Sequence, residues 1–305
     1  MIFKIKKDII FTSYYKKFNF LSSIFIILSI FILLIKGLNL GVDFKGGTLI
    51  EIRTDNSNIN IAEIRQSFMK MDLGDVTVKR FGKKNDYLIK IEKTDSNNEN
   101  FIKSINDELS LDLGSEVNFR RVENVGPKVS KELLKAGLLA ISLSLMAMLF
   151  YIWIRFEWQF SLGAIIALMH DVIITLGFFS FLSYEVNLSI IAAVLTIVGY
   201  SMNDTVVIFD RIRENLKKYS KISISEISDI SINETLSRTL ITSVTTLLAL
   251  ISIYIFGGAI LKGFSFAMII GVIIGTYSSI FVAAPILNYL RVSQKTILKE
   301  DAENN

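Results

Sequence analysis

Six long apolar runs constrain this chain more than any other feature. They fall at about 18–35, 136–154, 160–182, 187–210, 239–256 and 264–290. Roughly 20 consecutive apolar residues cross the ~30 Å hydrocarbon layer of a bilayer as a helix. Within that layer each backbone N–H and C=O must find a partner inside its own segment, which leaves the helix as the conformation for single runs of this length. Composition agrees, with 51% hydrophobic residues among 305 and a mean hydropathy of +0.48. The expectation is an α-helical polytopic membrane protein with six transmembrane helices.

The basic residues set the expected topology. The net charge is only +4, and the lysines and arginines flank the apolar runs without forming a block, so they speak to orientation and not to nucleic acid. Lys4, Lys6, Lys7, Lys16 and Lys17 lie in the tail 1–17, ahead of the first run. Arg155 follows the second, with Trp153 and Trp158 as interfacial anchors. Arg211, Arg213, Lys217, Lys218 and Lys221 follow the fourth, and Arg291 and Lys295 open the tail 291–305. The positive-inside rule then puts both termini in the cytoplasm of a multi-pass protein. The first run lacks a small-residue cleavage signal and is expected to stay as a helix. The chain has no cysteine and one histidine, His170, which excludes disulfides and thiol catalysis. Neither a metal nor a cofactor is expected.

Residues 36–130 form a polar insert on the far side of the membrane. TLIEIR (48–53), DVTVKRF (75–81), DYLIKIE (86–92) and EVNFRRVE (116–123) carry strand patterns. Gly82 and Asn85 supply a turn between the middle two. IAEIRQSFMKM (61–71), with Asn60 as N-cap, and NFIKSINDEL (100–109) have helical spacing. The order β-α-β-β-α-β is that of a small ferredoxin-like α+β domain, and it fixes no function. GLNLGVDFKGGT (37–48) precedes the first strand, and Gly41, Gly46 and Gly47 suit a tight turn. A phosphate loop is excluded, because no Gly-Lys-Ser/Thr follows. Residues 131–290 complete a five-helix membrane core. It begins just after Pro127, a helix-start residue, and ends in a run with Gly271 and Gly275 at GxxxG spacing.

Charges inside lipid are rare and usually mark an ion or proton path. Asp204 lies in the fourth run with Ser201, Asn203 and Thr205 in the same turn, six residues (about 9 Å of helix) before Asp210. Capping a neighbouring helix and carrying a proton are both open to it. Thr196, Gly199, Tyr200 and Asn203, taken as sharing its face, favour the functional reading. Arg238 opens the antiparallel fifth run at matching depth, and Thr242, Thr245 and Thr246 continue its face. Pairing with Asp204 and snorkelling to headgroups are equally open for Arg238. If the two pair, a proton arriving at Asp204 releases Arg238 and biases two helix packings. His170 and Asp171 lie mid-span in the third run. Relay and interhelix hydrogen bond are both open for His170, while Asp171 at that depth needs a partner.

GVDFKGG, GPKVSKELLKAG, HDVIITLGFF, VGYSMNDTVVIFDRIREN and NETLSRTLITSVTTLL together resemble the SecF family, the smaller membrane subunits of the bacterial SecDF complex within the RND superfamily. The resemblance covers nearly the whole chain. It implies an auxiliary, non-enzymatic subunit of the Sec protein translocase in the inner membrane, with a ferredoxin-like periplasmic domain. Implied partners are SecD as a separate chain, the SecYEG channel, exported unfolded polypeptides and protons. It implies proton coupling at Asp204 and Arg238, with Asn203, Thr205, His170, Asp171 and Thr242 as supporting polar residues. The family-motif turn matches Gly41, Asp43, Gly46 and Gly47.

Three other classes were weighed. An intramembrane aspartyl protease built on Asp171 and Asp204 lacks the GxGD sequence before Asp204. A small-molecule exporter of the RND type has little binding volume in one small insert. A passive scaffold for SecD differs from a proton-driven subunit in surviving loss of the Asp204 carboxylate.

Overall fold

The computed structural model describes residues 9–56, 59–80, 84–92, 99–219, 222–294 and 296–297. Lys4, Lys6, Lys7, Gly82, Lys221 and Lys295 lie outside the described residues. In chain order, a 3-10 turn (Phe11–Tyr14) leads into α1 (Tyr15–Lys36), which ends at Gly37 with φ +66°. Next come β1 (Asn39–Leu40), the one-turn α2 (Val42–Lys45), β2 (Gly47–Thr54), α3 (Ile61–Lys70), β3 (Val76–Arg80) and β4 (Asp86–Ile91). α4 (Glu99–Leu113), β5 (Val117–Val125), α5 (Pro127–Arg155), α6 (Trp158–Leu182) and β6 (Glu185–Val186) follow. α7 (Leu188–Lys218), α8 (Ile224–Phe256), α9 (Gly258–Ser278), a π-helical turn (Ser279–Ala283) and α10 (Ala284–Tyr289) complete the order.

The chain divides into two compact units, one of residues 40–139 with 185–188, the other holding the rest. In the first, four antiparallel strands run in the order β3-β4-β2-β5. This is the ferredoxin-like arrangement expected from the alternation of strands and helices. Alternate residues of β2 and β4 reach the core, where Ile50, Ile52, Ile89 and Ile91 join Ile64 and Phe68 of α3 and Leu109 of α4. Asn60 and Glu63 form a reciprocal capping box that starts α3 as expected. The phenol of buried Tyr87 donates to the Ile59 carbonyl at 2.6 Å. Arg53 clamps Asp86 across the β2–β4 pair with two hydrogen bonds of 2.6 and 2.8 Å.

In the second unit, which takes in α5 from residue 140, six helices among the described residues are long and apolar enough to cross a membrane, one per expected run. α6, α7 and the α9–α10 segment form its centre, with 50–56% of their apolar windows buried, against 11–17% for α1, α5 and α8. The outer three helices therefore present apolar surface to lipid or to another membrane protein. Small residues set the close approaches. A side chain at Gly271 would run into Ile197 of α7, and a Cβ at Gly275 would come within 2.9 Å of the Ser201 Cβ. The π-helical turn precedes Pro285, which has no N–H and whose ring crowds the carbonyl four residues earlier, so the helix widens there.

Two of the helices run beyond the apolar stretches. α7 continues past Asp210 to Lys218, and α8 starts at Ile224, where Ser223 accepts from the Glu226 amide at 3.3 Å. Ile227 and Ile232 are buried in one apolar cluster with Ile212 and Leu216 of α7. Nothing between Ser223 and Phe256 breaks the helix, so the amphipathic stretch and the fifth apolar run become one element.

Candidate functional site

Asp171, on central helix α6, is fully buried at 0% exposure and receives hydroxyls from two other helices. Ser201 of α7 donates to its Oδ2 at 2.5 Å, and Ser278 of α9 donates to the same oxygen at 2.8 Å. Its Oδ1 lies 2.8 Å from Nδ1 of His170, itself 1% exposed. These adjacent residues are thus in direct contact. His170 Nε2 is buried with no hydrogen-bond partner among the described residues. The imidazole stacks on Tyr277 at 6.1 Å, and the Tyr277 phenol reaches Ser22 of α1 at 2.8 Å and the Phe18 carbonyl at 2.8 Å. Asp171 is therefore a junction of α6, α7 and α9 with α1 attached through Tyr277.

Asp204 sits three residues further along α7 than Ser201 and is 3% exposed. Its carboxylate faces Thr276 of α9 and Ser243 of α8, whose hydroxyls are joined at 2.7 Å. The Thr276 hydroxyl is 3.5 Å from Asp204 Oδ2, at the long limit of a hydrogen bond. The two buried acids thus contrast. Asp171 is held by short contacts on both oxygens, while Asp204 is loosely met. They also use different hydroxyls, which does not match a protease dyad whose two carboxylates share one proton.

Among the described residues no ion pair joins Asp204 to Arg238; ion pairs that α7 and α8 do make include Arg155–Asp210, Arg211–Glu214, Arg211–Glu234 and Arg213–Glu157. Arg238 is exposed on α8 and acts on Asp204 through space. Thr242 donates back to the carbonyls of Arg238 and Thr239, and Thr245 to those of Ile241 and Thr242, so these hydroxyls are satisfied within their own helix. Thr205 is buried beside Asp204, but Asn203 and Thr196 are exposed. They do not share the buried Asp204 face: at about 100° per residue Asn203 is turned about 100° from it, and Thr196, eight residues back, about 80°. Thr196 and Asn203 of α7 and Arg238 of α8 thus form polar positions on the outside of this unit.

Thr276, Tyr277 and Ser278 were missed in the sequence. The signal available was the run TYSS at 276–279 in an otherwise apolar stretch.

The family-motif glycines lie in the other unit. Gly46 and Gly47 have φ +80° and +114°, and a Cβ at Gly47 would meet the Ile91 carbonyl oxygen at 2.5 Å. Gly41 donates to the Val186 carbonyl at 2.8 Å, and a Cβ there would lie 2.7 Å from the Glu185 carboxylate. Asp43 Oδ2 accepts from the Leu188 amide at 2.9 Å. Burial holds the Lys90 ammonium below its ordinary range, and it donates to the Leu40 carbonyl at 3.1 Å.

Comparison with known proteins gives a consistent set of similarities. The family described as "Protein export membrane protein SecD/SecF, C-terminal" matches residues 105–293, and the "SecD/SecF GG Motif" matches residues 31–57. The chain is 46% identical over 277 residues to the protein translocase subunit SecF of Rickettsia rickettsii, covering 90% of this chain and 89% of that one. It is 45% identical over 304 residues to the SecF of Vibrio alginolyticus, covering 99% and 96%. The crystal structure of SecDF from Thermus thermophilus, a translocon-associated membrane protein, superposes with a TM-score of 0.86 at 30% identity. That match covers 95% of this chain and 40% of the longer SecDF chain.

Proposed function

Since the chain belongs to the SecD/SecF family of protein export membrane proteins, we propose that it works with a separate SecD chain to draw on the proton gradient. The work done is to promote late steps of polypeptide export through the SecYEG channel. In this reading it is a transport subunit and not an enzyme. It resides in the inner membrane with both termini in the cytoplasm and the α+β unit in the periplasm.

The observation that carries the reading is the contrast between the two buried acids. A carboxylate fixed by three short contacts from three side chains is a structural junction. A carboxylate that faces only the hydroxyls of Thr276 and Ser243, with the Thr276 contact long, can lose or gain a proton without breaking the packing around it. Asp204 is of the second kind. Because it lies on α7 and faces hydroxyls of α8 and α9, its charge state alters the attraction among three helices. The membrane potential supplies about 2.3 kcal/mol per charge per 100 mV, enough to bias two packings some tens-fold. Arg238 serves at the outer face of α8. A guanidinium facing lipid is costly, by up to about 2.5–3.5 kcal/mol at mid-span and by less at the end of the run where Arg238 lies. That cost is met when SecD covers the face.

The test is Asp204→Asn, which preserves shape and removes the charge. The variant is expected to assemble with SecD and to lose gradient-dependent stimulation of export in inverted membrane vesicles. Retention of full stimulation makes the chain a passive scaffold.

A further inference from the structure

The family-motif turn is unused by the function proposed so far, yet it sits where three membrane helices leave or re-enter the α+β unit. That unit holds residue 40 just after α1, the start of α5, and residues 185–188 at the start of α7. The turn touches each region. Gly41 pairs with Val186. A Cβ on Gly46 would lie 3.4 Å from the Ser130 hydroxyl and 3.5 Å from Pro127 Cα, both in the first turn of α5. Lys90 of β4 anchors the Leu40 carbonyl from the sheet side.

Among these contacts, Asp43 is the one that reaches α7. Its carboxylate accepts the Leu188 amide at 2.9 Å. Leu188 is the first residue of α7, so its N–H is one of the four amides that an α-helix leaves without an internal partner. A carboxylate there satisfies the amide and also meets the positive end of the helix dipole. α7 then runs unbroken to Asp204, 16 residues on, or about 24 Å at the helical rise. The bond is made by a residue from β2's side of the chain, 145 positions away in sequence, so it is not a local cap that merely ends a helix.

We propose that Asp43 is a positioning residue that couples the α+β unit to the helix carrying Asp204 by holding the N-terminus of α7. Displacement of α7 on protonation of Asp204 is then passed to the α2 turn, whose glycines pack it against the sheet and the first turn of α5. The proposal rests on the reading of Asp204 as the titrating group.

The chain has no native cysteine, so introduced pairs label cleanly. Spin labels at Leu111→Cys on α4 and Phe256→Cys at the end of α8, positions 83% and 84% exposed, report the distance between the units in the complex assembled with SecD. Replacing Asp204 by Asn is expected to shift that distance distribution in the otherwise native chain. Asp43→Ala is expected to abolish the shift, and Asp43→Asn, which keeps the acceptor oxygen, to restore it. Exchange of the Leu188 amide should rise about fivefold in Asp43→Ala, the factor corresponding to a typical lost cap. Should Asp43→Ala fail to assemble, Asp43→Ser, whose shorter hydroxyl does not reach Leu188, carries the same comparison. An undiminished shift in an assembled Asp43→Ala or Asp43→Ser complex overturns the coupling role and leaves Asp204 as the titrating group. Absence of any shift with Asp204→Asn alone overturns the reading of Asp204, and this proposal with it.

Discussion

Asp171 and Asp204 occupy adjacent helices in similar burial and differ in what meets them. Ser201, Ser278 and His170 all address Asp171 at 2.5–2.8 Å. Removing a hydrogen-bond partner from such a buried carboxyl leaves a polar group less satisfied, a loss of about 1–3 kcal/mol. Ser278→Ala is therefore expected to lower the thermal midpoint of the purified protein in detergent clearly. Thr276→Ala, whose contact with Asp204 is long, should lower it much less; equal effects would remove the distinction between the two acids. Both aspartates were legible in the sequence, since an acid inside an apolar run has few explanations. Their partners were not. Serine and threonine in membrane helices commonly bond to their own backbone, as Thr242 and Thr245 do here, so a hydroxyl in the sequence does not announce whether it points across to another helix. Equal depth leaves pairing of Asp204 with Arg238 and snorkelling both open, because depth says nothing of the rotation of α8 that leaves Arg238 exposed.

At the scale of the elements, α7 and α9 meet through glycine. A methyl at Gly275 would come within 2.9 Å of the Ser201 Cβ and would push away the serine whose hydroxyl donates to Asp171. Gly275→Ala is thus expected to destabilise the membrane unit more than Gly199→Ala, where a Cβ meets open space; comparing resistance to proteolysis of the two variants checks this. The GxxxG spacing was visible in the sequence, and what it packs against was not. In the α+β unit, alternation, the Asn60 cap and the glycine turns made the element order legible, because each is a local signal. Helix ends near the membrane were less so. Hydropathy marks where lipid begins, and α7 and α8 continue beyond it by packing Ile212, Leu216, Ile227 and Ile232 together. Lys90 adds a pH dependence. Its folded-state ammonium is held below the ordinary value of 10.5 by burial, so the unfolded chain binds the extra proton between the two values. Stability of the α+β unit should therefore rise with pH through the alkaline window below 10.5, and Lys90→Gln should flatten that rise. An unchanged slope in the variant would assign it to another group.

For the molecule as a whole, six helices among the described residues are apolar and long enough to cross a membrane, as in a multi-pass membrane protein. The exposed polar positions on α7 and α8 do not suit lipid, and the solved SecDF relative is a longer polypeptide of which this chain matches 40%. Arg238→Ala is expected to weaken co-purification with SecD while leaving the isolated chain as stable as before, since Arg238 makes no ion pair within it among the described residues. Unaltered association would place the arginine against lipid headgroups instead. The central claim is that one carboxylate takes up the proton. Infrared difference spectroscopy of the complex in lipid, stepping the pH, reads it through the C=O band of a protonated carboxylic acid. The account predicts a band that appears on acidification, vanishes in Asp204→Asn and persists in Asp171→Asn. A band that survives Asp204→Asn and is lost with Asp171→Asn would contradict it.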